Sequence, residues 1–135
     1  MSWTVPVHPI SAGALSLLLN LIVPRINDYM TDAIVEWIYP AEGQHLDIGA
    51  KLLDLTVDLS AAAPHDCPPI SHYRIVLRER VWLRRLAVSR GETAPVAATL
   101  ASFTTEPDEP TDAVSSRPIR TATAAILHQP AWDWS

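Results

Sequence analysis

At 135 residues the chain has room for one domain with a modest core and arms at its ends. An apolar share of 48% and a charged share of 19% are those of a folded soluble protein rather than a disordered one. The net charge of −5 argues against a nucleic-acid surface, and a single cysteine, Cys67, excludes an internal disulfide framework and points to reducing, cytoplasmic conditions.

Residues 1–32 open the chain as an N-terminal arm. Within it, residues 10–23 (ISAGALSLLLNLIV) form an apolar run of fourteen. A membrane-spanning helix needs about twenty apolar residues, so no span is expected. No lysine or arginine stands between Met1 and Pro9, which removes the charged start of a signal peptide. The run is expected to be a short buried helix, begun near Ser11 and stopped by Pro24. A polar connector, residues 25–32, follows.

Residues 33–104 alternate in the manner of strands, rich in Val, Ile, Leu, Thr and Trp. A pattern within them is written twice, 48 residues apart. Gly43, Leu46, Gly49 and Leu52 fall at three-residue steps, as do Gly91, Ala94, Ala97 and Leu100. Upstream, Val35 and Ile38 match Leu83 and Leu86; downstream, Leu55 matches Phe103. Each half predicts an apolar strand, a turn at glycine, a second bend at a small residue and a further strand. Either half alone would expose its apolar face. Two halves about a pseudo-twofold axis cover each other, which predicts an all-β flattened barrel of short strands. The arginines at 78, 80, 84 and 85 read as the solvated face of one such strand.

The string Val35-x2-Ile38-x4-Gly43-x2-Leu46-x2-Gly49-x2-Leu52 resembles the first half of a biotinyl/lipoyl attachment domain. Leu83-x2-Leu86-Ala87-Val88-x2-Gly91-Glu92 resembles the second half. The resemblance covers about seventy residues and implies a barrel-sandwich hybrid of two four-stranded sheets. Such domains carry biotin or lipoate on a lysine at a hairpin tip, directly after an aspartate. Here Asp58 stands where that aspartate falls, and the lysine position is Leu59, followed by Ser60. Leucine has no amine to acylate, so no covalent cofactor is expected there. Lys51, the only lysine, lies eight residues after Gly43 at the start of a strand. It leaves an atypical carrier, modified at Lys51 or Cys67, as an alternative. The stretch from Asp58 to Leu86 is about ten residues longer than the family's tight hairpin, which implies an enlarged loop over residues 59–79.

That loop collects His65, Asp66, Cys67 and His72, residue types able to complete a tetrahedral zinc site. Their His-x-Cys-x4-His spacing is not that of a zinc finger, and no Cys-x2-Cys pair is present. The competing reading is a polar turn shaped by its prolines. A thiolate pair of Cys67 with either histidine lacks an evident oxyanion hole. Glu42 with Asp47, and Asp54 with Asp58, read as solvent-facing turn and strand residues rather than acid–base pairs. No catalytic set emerges.

Residues 105–135 read as a proline-rich C-terminal arm. Trp3, Trp132 and Trp134 sit at the extreme ends, where aromatic rings suit anchoring in a partner's pocket; the equal alternative is that both arms fold back onto the barrel of the same chain. The expectation is therefore a non-catalytic, lipoyl-like accessory subunit. Its arms dock it onto the larger protein subunits of an enzyme complex.

Overall fold

The computed structural model describes residues 17–60, 70–109 and 115–126. Ten strands run in order: β1 (Leu17–Ile22), β2 (Asp32–Ile38), β3 (His45–Leu46), β4 (Lys51–Asp58), β5 (Ile70–Leu77), β6 (Val81–Leu86), β7 (Thr93–Pro95), β8 (Thr99–Thr104), β9 (Ser115–Pro118) and β10 (Thr121–Ala125). They form two five-stranded sheets, ordered β3-β6-β8-β1-β9 and β7-β2-β4-β5-β10. Every pairing is antiparallel except β1 with β9.

Exchanging β1 with β5, β2 with β6, β3 with β7, β4 with β8 and β9 with β10 turns one sheet order into the other. For β2, β3 and β4, whose counterparts are β6, β7 and β8, the 48-residue step is therefore a structural one. It extends to the irregularities: the β2–β4 register slips between Val35 and Trp37, and the β6–β8 register slips between Leu83 and Arg85. The β4–β5 ladder passes over Leu52 and the β1–β8 ladder passes over Leu100. Both leucines are buried, so each bulge turns one extra apolar side chain inward.

The two halves are interlocked rather than stacked. Short β3 pairs with β6 of the other half, and β7 pairs with β2. The Gly43 N–H donates to the Leu83 carbonyl, and the Gly91 N–H donates to Val35, each at 2.6 Å. Both glycines hold a positive φ (87° and 90°), which aims these amides across the molecule. The core that results is lined by Leu19, Val35, Leu55, Ile75, Leu83 and Phe103, each at most 1% exposed.

Four expectations change. The second half of the apolar run is not helix: Leu17–Ile22 is a strand, hydrogen-bonded on one side to β8 and on the other to β9. Alternation sends Leu19 and Leu21 into the core and leaves Asn20 half-buried and Ile22 exposed, a period of two rather than 3.6. Residues 1–16 lie outside the described ones. The enlarged loop is shorter than 59–79, because ISHYRIVL forms β5 against β4, from Asp58↔Ile70 to Lys51↔Val76. The sheets have five strands each, not four, since β9 and β10 add to their margins, and they do not close into a barrel. Residues 17–22, 115–118 and 121–125, placed within the arms, are thus strand.

Candidate functional site

The lysine position of the resembled family falls at the end of β4. There Asp58 is exposed and caps the chain: its Oδ1 accepts from the Ser60 hydroxyl at 2.6 Å and from the Ser60 N–H at 3.0 Å. These two bonds, the hydroxyl's foremost, lower the Asp58 pKa below the usual carboxylate range. Between them Leu59 turns inward and is only 5% exposed, a member of the core.

Lys51, at the other end of β4, is exposed, with its Nζ 5.6 Å from the centre of the Tyr39 ring. That ring belongs to a polar cluster that sequence reading did not find. The Tyr39 hydroxyl donates to Asp54 Oδ2 at 2.7 Å, and Arg74 donates through Nε to Asp54 Oδ1 at 2.8 Å. The same guanidinium reaches the Tyr39 oxygen at 3.0 Å and lies 5.5 Å from its ring centre. Asp54 is 1% exposed in the middle of β4, directly opposite Arg74 on β5. Burial, then the hydrogen bond and charge of Asp54, push the Tyr39 pKa up to about 12. The hydrogen bond from Arg74 to Asp54 likewise raises the arginine. A lone aspartate inside the apolar string LLDLTV was the available signal. Its partner is twenty residues away and is identified only by strand register.

Two residues along the same strands, Thr56 and His72 pair, with Oγ1 and Nδ1 2.9 Å apart. His72 is thereby a strand residue on β5. His65 and Cys67, with which it was grouped, lie outside the described residues, as do Trp3, Trp132 and Trp134. Among the described residues no three His, Cys, Asp or Glu side chains gather to hold a metal.

The four carboxylates are each engaged with other groups, and Asp54 is buried rather than solvent-facing. Glu42 accepts from the Leu86 N–H, and Asp47 meets Arg80 at the surface. Arg84 donates to the Thr104 hydroxyl and the Glu109 carbonyl, and with exposed Arg85 it lines a groove of about 340 Å³ together with Leu18, Glu42 and Ser102. With Glu42 present this groove has no single sign of charge. The described residues thus hold an ion-paired cluster on one sheet, with the Thr56–His72 pair beside it on the same two strands.

No family model matches the chain, and no curated protein sequence matches it. Among the described residues no helix is long and apolar enough to cross a membrane.

Proposed function

We propose that the chain is a non-catalytic accessory subunit of a larger cytoplasmic enzyme complex. In this reading a lipoyl-like scaffold, without cofactor, is held to larger subunits by its terminal segments. The observation that carries it is the burial of Leu59, at the position where the resembled family exposes its modified lysine. The engagement of Asp54, Asp58, Glu42 and Asp47 in structural hydrogen bonds and ion pairs supports a role without chemistry. The tryptophans at 3, 132 and 134 supply the aromatic anchors that docking requires.

Affinity purification of the full chain from its native host, followed by intact-mass measurement, tests this. The expected result is an unmodified chain mass together with stoichiometric larger subunits, lost when Trp132 and Trp134 are both replaced by alanine. An added lipoyl or biotinyl mass would point to an atypical carrier at Lys51 or Cys67, and zinc in the purified chain would point to the 65–72 segment. Either result, or recovery of the chain alone, overturns the proposal.

A further inference from the structure

Among the described residues each of the two sheets has two open margins, formed by β3 and β9 in one and by β7 and β10 in the other. Open margins invite pairing with another chain, and natural sheets blunt them with short strands, prolines, bulges or charge. Three of the four are blunted in this way. β3 has two residues; β7 has three and ends at Pro95; β9 carries Arg117 and ends at Pro118. β10 differs. Its five residues, TATAA, hold no proline and no charge, and its register against β5 runs unbroken from Thr121↔Leu77 to Ala125↔Tyr73. Residues 123–125 are exposed.

The direction of its free groups follows from the ladder. The Arg78 N–H donates to the Arg120 carbonyl, and the Ile126 N–H donates to His72. In an antiparallel pair alternate residues bond to the same neighbour, so positions 120, 122, 124 and 126 face β5. Thr121, Thr123 and Ala125 therefore turn their N–H and C=O groups to the open side.

We infer that β10 is a self-pairing edge: two copies of this chain join β10 to β10 antiparallel about Thr123, making one continuous sheet across the dimer. The strand is nearly its own complement under this operation. Thr123 meets Thr123, Ala122 meets Ala124, and Thr121 meets Ala125. A twofold contact needs this kind of self-complementarity, which a charged edge would oppose by setting like charges opposite each other. At the flanks Arg120 of one copy falls opposite Ile126 of the other, so the nearest cations do not face each other. About six inter-chain backbone hydrogen bonds form in this register.

Position 123 permits a clean test, since its N–H is not used by β5. Thr123→Pro removes an outward donor only, and proline is tolerated on an edge strand in that orientation. Thr123→Lys sets two cations side by side across the axis while keeping every N–H. Sedimentation equilibrium of the full chain, from about 1 μM to about 1 mM, should show wild-type mass rising toward twice the chain mass. Both variants should weaken association at least tenfold, with unchanged circular dichroism and, at concentrations where all three chains are monomeric, an unchanged melting temperature. A wild-type chain that stays monomeric throughout, or a dimer indifferent to both substitutions, overturns the inference; a monomer would leave β10 to a partner's strand.

Discussion

At the residue scale the sharpest feature is Ala97. It holds φ of 76°, where its counterpart Gly49 holds 95°, and the amides of both donate to equivalent carbonyls, those of Val23 and Leu77. A residue with a Cβ in this region costs about 1 kcal/mol or more, which glycine avoids. Glycine also loosens the unfolded chain, by about 0.4–1 kcal/mol. Relief of strain exceeds that loss by a small margin. Ala97→Gly should raise the urea-unfolding free energy by about 0.5 kcal/mol, whereas Gly49→Ala should lower it by about as much or more. The Tyr39–Asp54–Arg74 cluster works differently. A carboxylate this buried is tolerated only because a guanidinium and a phenol hydroxyl complete its hydrogen bonds.

At the element scale, β9 and β10 are clasped by Glu79 in the β5–β6 turn. Its carboxylate accepts from Arg117 at 2.8 and 2.9 Å and from the Arg120 N–H at 2.7 Å, so one side chain secures the β9–β10 connection. The hydrogen bonds from Arg117, foremost, lower the Glu79 pKa below its ordinary value. A lowered folded-state pKa means stability that is fully present above the unfolded value, about 4.3, and lost as pH falls through the folded value. Amide-exchange protection of Ala122 and Ala124, whose N–H groups face β5, should therefore drop as the medium is acidified below about pH 4. In Glu79→Gln it should be lower by about fivefold already at pH 7, roughly 1 kcal/mol for a half-buried charged clasp, and no longer respond to acid there.

The elements also show what was legible in the chain. The 48-residue step found β2 to β4 and β6 to β8, because glycines and bulged leucines mark both copies. It did not find that β1 and β5 are partners. Leu19 and Tyr73 hold equivalent places, opposite Phe103 and Leu55, but stand 54 residues apart. The connection over residues 23–31 is six longer than that over 78–80. A shift of that size breaks the register of any fixed-step comparison, and LLLNLI, seen alone, fits helix and strand equally. Leu59 was located by motif register, but its inward turn depends on the Asp58–Ser60 cap, which no spacing encodes.

For the whole molecule, interlocked pairing ties each half's stability to the other. A chain cut between β4 and β5 should give two fragments, each largely unfolded alone because β3 and β7 lack their partner strands. Mixed in equal amounts they should recover the strand signal of the intact protein in one concentration-dependent transition, read by circular dichroism. Fragments that fold separately would mean the halves are independent.

The exchanged turns carry one more consequence. Gly43 serves the strand of the second half and Gly91 serves that of the first, so nothing in the contact requires both to sit on one chain. Two copies of a single half, each about fifty residues long, contain every strand and turn needed to reproduce the central sheets as a homodimer. Duplication and fusion of such a half would leave a 48-residue step, two bulge pairs and a link between copies. Once joined, the copies were free to drift apart. Ala97 in a glycine's conformation, and Asp54 where the other copy has Ser102, are the traces that such drift would leave.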